Sequence, residues 1–234
     1  MQYKQTSQYG ECKILHALFK DQLPMFRYFV DIGAADGIRY SNTINLVENG
    51  WSGILVEPCK HFLSTLNKNN SDNPNVHVFA GAVSDYNGES KFYVWSEKED
   101  SQLSTIEDEQ YQTILNDEFW KSQGSFTDQY VVDVLKPAAL LDKFNAPKLI
   151  NFVDIDAEGS DMKILNAWPW DDYAVELFCI EVSMGLDPLI EFMKEKNYEI
   201  ISKTGGNALF CRKEKHSEFF NRLKANFPGM QVVS

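Results

Sequence analysis

The feature that most constrains this chain is a series of short apolar runs that do not alternate in polarity. They are Tyr28–Gly33, Gly53–Glu57, Val76–Ala80, Leu149–Asp156 and Leu177–Val182. A strand with one wet face alternates apolar and polar residues, whereas a continuous run needs cover on both faces. Helical patterns separate the runs. Cys12, Leu15, Leu18 and Phe19 make one stripe of a helix over Ser7–Gln22. Ser41 can cap a helix through Leu46 and Val47 that stops at Gly50, and Pro58 can open the next one. The order is therefore βαβαβ over roughly the first 80 residues, which predicts a parallel sheet with helices on both faces.

The C-terminal part reads differently. A helix over Pro188–Lys196 leads to a strand over Tyr198–Ile201, the tight turn Thr204-Gly205-Gly206-Asn207, and a strand over Ala208–Cys211. So short a connection joins antiparallel strands, and the sheet is expected to close with an antiparallel pair. A last amphipathic helix spans His216–Phe227. At 44% hydrophobic, a chain of 234 residues can bury the core of one domain.

Lys91–Trp95 and Tyr130–Val134 are further strand candidates, and between them lies an acidic stretch. Residues 96–128 hold nine acids and two bases, so −7 of the formal −12 sits there, while Lys194–Lys224 carries eight bases and four acids. The stretch is too long for an ordinary loop and reads as an insertion or lid on the single domain. The net charge argues against a nucleic-acid or anionic-membrane partner, which needs a basic field. Cys12, Cys59, Cys179 and Cys211 form no C-x-x-C pair and read as buried thiols. The polar N-terminus shows no signal segment and no run approaches 18 apolar residues, so a soluble, cytoplasmic protein without a membrane span is expected.

Chemistry concentrates at the carboxyl ends of the buried strands. Asp31-Ile32-Gly33-Ala34-Ala35-Asp36-Gly37 follows the first strand, where glycines let the backbone turn tightly beside a ligand. The spacing is D-x-G-x-x-x-G and no base lies among the glycines, which favours an uncharged or zwitterionic group over a pyrophosphate. Glu57 ends the second strand, where an acid can accept hydrogen bonds from ribose hydroxyls. Asp154-Ile155-Asp156-Ala157-Glu158-Gly159 ends the fourth, and period-2 geometry puts its three acids on one face if the strand continues that far. Glu181 ends the next strand beside them. Asp156, Glu158 and Glu181 are thus candidates for acid/base work, and Asp156 and Glu181 for a divalent metal. In the plainer reading Asp156 orients a cofactor and Glu158 caps the following helix. His16, His61, His77 and His216 stand at no triad or ligand spacing and read as structural or surface groups, His77 within a buried strand. The aromatic residues read as core, with Tyr111 and Trp120 of the acidic stretch as the exceptions to watch.

The ordered set SQYGE, FVDIGAADG, SNT, GWSGILVEP, FVDIDAEGSD and CIEVS resembles the FkbM-type S-adenosylmethionine-dependent methyltransferases, from about Ser7 to Cys211. The resemblance implies a Rossmann-like class I methyltransferase fold, an α/β architecture with a seven-stranded, mostly parallel sheet whose last strand is antiparallel. It implies S-adenosylmethionine as cofactor, held by Asp31, Gly33, Ala34, Asp36 and Gly37, by Ser41 and Asn42 at the next helix start, and by Glu57 and Pro58. Ala82, Val83 and Ser84 would border the adenine, and Asp156 would stand near the methyl group. Where the family often reads E-G-x-E, this chain has Asp161 as the last acid, and Asp154 stands where a neutral or basic residue is expected. The implied reaction is methylation of a hydroxyl on a sugar or glycan, by this domain alone or within a larger glycan-modifying assembly. Two alternatives remain from the residues themselves: a nicotinamide-dependent oxidoreductase, which the missing G-x-G-x-x-G disfavours, and a non-catalytic glycan-binding module.

Overall fold

The structure is a computed structural model that describes residues 3–21, 27–97, 103–183 and 185–228. Its main sheet has seven strands in the order β3-β2-β1-β7-β8-β10-β9. These are β1 (Tyr28–Ile32), β2 (Ser52–Val56), β3 (Val76–Phe79), β7 (Leu149–Ile155), β8 (Ala174–Glu181), β9 (Tyr198–Thr204) and β10 (Asn207–Arg212). Neighbours pair in parallel except β10, which runs antiparallel to both β8 and β9. The turn at Gly205-Gly206 produces this arrangement, as its length requires. The strand order reverses between β1 and β7, the switch point at which an open α/β sheet leaves a crevice at its carboxyl edge.

Helices cover both faces. Val30 and Ile32 of β1 and Val153 and Ile155 of β7 pack with Leu140 and Leu141 of α6 (Pro137–Lys143), Ile164 and Leu165 of α7 (Asp161–Asn166), and Leu189 and Met193 of α8 (Leu186–Glu195). The alternate residues Phe29, Phe152 and Leu177 face α1 (Glu11–Phe19), α2 (Ile44–Glu48), α3 (Lys60–Asn70) and α9 (His216–Asn226) through Leu15, Leu46, Leu66 and Phe219. Two-sided burial is why the runs read as continuously apolar.

Three expectations change. The helix predicted over Ser7–Gln22 forms only over Glu11–Phe19, and Gln22 lies outside the described residues. His77 is exposed, because β3 is an edge strand, and it stacks on Phe144 with ring centroids 5.3 Å apart. The strands flanking the acidic stretch are also far longer than predicted. β5 (Gly88–Glu97) and β6 (Gly124–Leu135) form an antiparallel hairpin that joins β4 (Ala82–Val83) in a second sheet of order β4-β6-β5. Both ends of the supposed insertion are thus strand, and its middle holds α4 (Asp108–Asn116) and α5 (Glu118–Gln123). Lys98, Glu99 and Asp100 lie outside the described residues.

All four cysteines are buried and free. Among the described residues no helix is long and apolar enough to cross a membrane.

Candidate active site

Strand ends place the acids. Adjacent strands lie about 4.8 Å apart, so the termini of β2, β1, β7 and β8 set Glu57, the glycine loop, Asp156 and Glu181 in a row roughly 14 Å long. Above that row lies a cavity of about 470 Å³. Its walls include Asp31, Gly33, Ala34, Ser41, Asn42, Glu57, Pro58, Ala82, Val83, Asp154, Asp156, Glu158 and Glu181. Among the sequence-derived candidates Asp36, Gly37 and Ser84 do not line it. Asp36 Oδ1 accepts the N–H groups of Ile38 and Arg39, both at 2.8 Å, which shapes the turn after the loop. Gly37 packs against Leu66, and Ser84 is buried with its N–H donated to Leu135.

The glycine loop is fixed over the end of β2. Gly33 and Ala34 donate their N–H groups to the Val56 carbonyl at 3.1 and 3.0 Å, and Ala35 donates to Glu57 Oε2 at 2.8 Å. Gly33 has φ +98°, and a Cβ there would lie 1.9 Å from the Asp156 carbonyl oxygen, so only glycine fits. Glu57 Oε1 accepts from Cys59 N at 2.6 Å. Each carboxylate oxygen keeps a lone pair for a ligand hydroxyl. Pro58 does not open α3, which starts two residues later with Cys59 at its N-cap. Thr43, not Ser41, stands at the N-cap of α2, but Ser41 two residues earlier accepts at its Oγ from Thr43 N at 3.2 Å and Ile44 N at 3.0 Å.

Asp31 and Asp154 are register partners across β1 and β7. Thr43 Oγ1 donates to Asp31, and Asn42 Nδ2 donates to Asp154 Oδ2 at 2.8 Å. Burial, with the Asp31 charge beside it, pushes the Asp154 carboxyl well above the ordinary range. That upward shift favours the neutral form of the acid, the direction that suits a position where a neutral residue was expected. Asn42 Oδ1 is buried and has no hydrogen-bond partner among the described residues.

Period-2 geometry does not carry the second cluster, because β7 stops at Ile155. A turn does, with Glu158 at φ +47° and Gly159 at +99°. It brings carboxylate oxygens of Asp156, Glu158 and Glu181 within 4.8 Å of one another, a spacing that suits a proton shared among acids or a hard cation. Ser160, not Glu158, stands at the N-cap of α7. Asp161 closes the turn, its Oδ1 accepting from Ala157 N at 2.9 Å. The shorter acid has a structural task here.

Asp156 opens to the cavity, and the protein packed around that cavity raises its carboxyl to about 7, mainly by desolvation, with the Asp161, Asp31 and Glu11 charges adding. Glu181 rises to about 8 for the same reason, helped by Asp156 and Asp161. Burial likewise raises Glu57 to about 7 and Asp31 to about 6. An acid that holds its proton more tightly folded than unfolded makes stability fall as pH rises between the two values. For Glu57 that window runs from 4.5 to about 7, and for Asp31 from 3.8 to about 6. The Glu57 shift alone corresponds to about 3 kcal/mol, or very roughly 5–10 °C. The ligand-free protein should therefore melt at a lower temperature at pH 8 than at pH 5 in the same ionic strength; equal or reversed melting temperatures would show that these acids are not held protonated.

Two further walls come from outside the strand ends: the N-terminal segment, which the sequence did not place there, and the acidic stretch, read from the sequence as an insertion or lid with Trp120 as one to watch. Gln8 and Tyr9 come from the N-terminal segment, and Leu103–Ile106 and Trp120 from the acidic stretch. Fully buried Glu11 delivers the first, accepting from Thr204 Oγ1 at 2.6 Å and Asn207 Nδ2 at 3.0 Å with one oxygen and from Tyr9 N at 3.1 Å with the other. SQYGE is the local signal of that wall. Tyr9 lies so close to the hairpin tip that a Cβ on Gly205 would be 2.2 Å from its ring. Tyr111 is structural, stacked on Tyr93 with centroids 4.0 Å apart.

The family model described as Methyltransferase FkbM domain matches residues 31–200. No curated protein matches the chain. Similar solved structures include the methyltransferase FkbM from Methylobacillus flagellatus KT, at 14% identity and a TM-score of 0.49, covering 89% of this chain and 49% of that one. The chain thus spans about half the length of that protein. The METTL16 MTase domain matches at 14% identity and a TM-score of 0.48, over 86% of this chain and 66% of that one. The precorrin-6y C5,15-methyltransferase from Geobacter metallireducens GS-15 matches at 12% identity and 0.42, over 89% and 92%.

Proposed function

Because the chain belongs to the FkbM methyltransferase family, we propose that it transfers a methyl group from S-adenosylmethionine to a hydroxyl of a sugar or glycan. The observation that carries this reading is the row of acids over one cavity, with Glu57 at one end and the Asp156, Glu158 and Glu181 cluster at the other. The family assignment removes the support for a nicotinamide-dependent oxidoreductase.

The residues present fit S-adenosylmethionine. Glu57 offers acceptors to vicinal hydroxyls, and Asp31 and the unpartnered Asn42 Oδ1 suit a cationic amine. Ala82 and Val83 supply an apolar border for a base. When bound, the cofactor supplies an electrophilic methyl carbon on a positively charged sulfur. The acidic cavity, with six carboxyl groups and Arg39 as the one base among its lining residues, favours that charge. An ionised carboxylate of the Asp156, Glu158 and Glu181 cluster receives the proton of the acceptor hydroxyl, and the cluster holds the acceptor in line for attack. The same three carboxylates would hold a divalent cation, which would lower the hydroxyl pKa. Leu103–Ile106 and Trp120 form the acceptor-side wall, so the acidic segment works as the lid.

The test incubates the protein with methyl-labelled S-adenosylmethionine and a panel of neutral methyl hexosides and hexose phosphates, with and without a chelator. Mass spectrometry should find label on the oxygen of a neutral sugar and none on the phosphates, which the carboxylates repel. Loss of transfer with the chelator would assign the proton's removal to a cation-bound hydroxyl, and unchanged transfer to the carboxylates alone. Label on nitrogen or carbon acceptors offered in parallel, and none on sugars, would overturn the hydroxyl assignment.

A further inference from the structure

The loop that presents Glu158 is held from outside itself. Glu158 is a non-glycine residue at φ +47°, followed by Gly159 at +99°. Side chains at such angles persist where the surroundings over-determine them. Ser160, at the N-cap of α7, makes no side-chain cap to its own helix. Its hydroxyl instead donates to Glu107 Oε1 at 2.6 Å. Lys163, one turn into the helix, donates to Glu107 Oε2 at 2.6 Å. Only 14% of the Glu107 side chain is accessible, against 48% for Lys163, so the bridge is half-exposed and the Ser160 hydrogen bond is its better-covered contact.

A second connection reaches the strained residue itself. Thr105 Oγ1 accepts from Glu107 N at 2.9 Å, which turns its own proton toward the Glu158 carbonyl at 2.8 Å. The α4 residue Gln110 lies so close that a Cβ on Gly159 would approach its Cβ to 3.2 Å. The segment making these contacts is itself anchored on β5. Tyr93 N donates to Thr105 O at 2.8 Å, Thr105 N returns to Tyr93 O at 3.1 Å, and Trp95 N donates to Ser104 Oγ at 2.9 Å. The second sheet, the Leu103–Ile106 wall and the Glu158 turn are therefore one hydrogen-bonded unit.

We infer that Thr105 and Glu107 are positioning residues: they hold the turn that presents Glu158 to the cavity, so the wall an acceptor touches also sets the carboxylate geometry. This rests on the methyl-transfer reading above for its catalytic consequence, while the holding of the turn stands independently of it.

Hydrogen exchange and turnover of the full chain separate the two. Thr105→Val removes the hydroxyl at nearly constant volume, Thr105→Ser keeps it, and Glu107→Ala removes both carboxylate contacts. Amides of residues 157–163 should exchange at least tenfold faster in Thr105→Val and Glu107→Ala. They should exchange at the wild-type rate in Thr105→Ser, with the amides of the glycine loop unchanged in all three. On whichever methyl hexoside the wild type methylates, kcat should fall tenfold or more in Thr105→Val, with KM and S-adenosylmethionine affinity within twofold and Thr105→Ser restored. Wild-type exchange in Thr105→Val, equal acceleration in Thr105→Ser, or acceleration spread across the main sheet would overturn the inference. A wild type that neither binds S-adenosylmethionine nor methylates a hexoside would instead overturn the proposed function, and the exchange comparison would still decide whether the turn is held as described.

Discussion

Asp156→Asn should reduce methyl transfer by a factor of roughly 10²–10⁴, the usual contribution of a positioned proton acceptor. The substitution keeps the shape of the side chain and leaves the backbone bond from Asp156 N to the Ile32 carbonyl, 3.0 Å long, untouched. What it removes is an acceptor at the end of β7, the strand beside the switch point, where side chains from two neighbouring strands converge on the cavity. Glu158 and Glu181 remain, but they enter the cluster from a strained turn and from the next strand. The variant should fold at least as well as the wild type at pH 8, since one member of a mutually repelling acid group becomes neutral. Cofactor affinity should change only a few-fold, because Glu57 lies two strands away, at the end of β2. Rates of product formation at saturating cofactor, read beside a thermal melt, check both halves. A variant that turns over at the wild-type rate would remove Asp156 from the mechanism.

How much of this could be read from the sequence follows from which contacts are local. The glycine loop was legible because a buried parallel strand is continuously apolar and the tight turn after it demands Gly33. Glu57 and Glu181 were legible because each stands at the end of such a run, and strand ends in a parallel sheet share one edge. The convergence of Asp156 and Glu158 was expected by the wrong geometry, since alternation along a strand cannot reveal that β7 stops at Ile155 and hands over to a left-handed turn. The second sheet was half hidden. Much of β6 is exposed, so its outer half lacks the apolar signal that marks a buried strand. The remaining walls depend on pairings that no local pattern encodes. Glu11 reaches Thr204 across 193 positions, and Thr105 meets Glu158 across 53. Asp154 needed the register of β1 against β7, which sets Asp31 beside it, before the upward shift of its carboxyl made sense.

Replacing Glu57 by alanine should cost the second large effect, this time in binding. Two hydrogen bonds from ligand hydroxyls to a carboxylate contribute about 1.5 kcal/mol each at the low end, so affinity should fall roughly a hundredfold. Part of the loss is indirect, because Ala35 N and Cys59 N lose their acceptor and the glycine loop loosens over β2. Relief of a buried charge offsets some of the structural cost at pH 8, where the wild-type carboxyl, raised to about 7, is ionised. Conducting the comparison at that pH keeps the fold intact while the ligand contact is absent.

The central claim is that this cavity holds S-adenosylmethionine along the row from Glu57 to Asp156. Calorimetric titration of S-adenosylmethionine into the wild type and Glu57→Ala at pH 8 tests it most directly. The wild type should bind one equivalent, and the variant should bind roughly a hundredfold more weakly while melting cooperatively. No heat of binding in the wild type, or equal affinity in a folded Glu57→Ala, would contradict it.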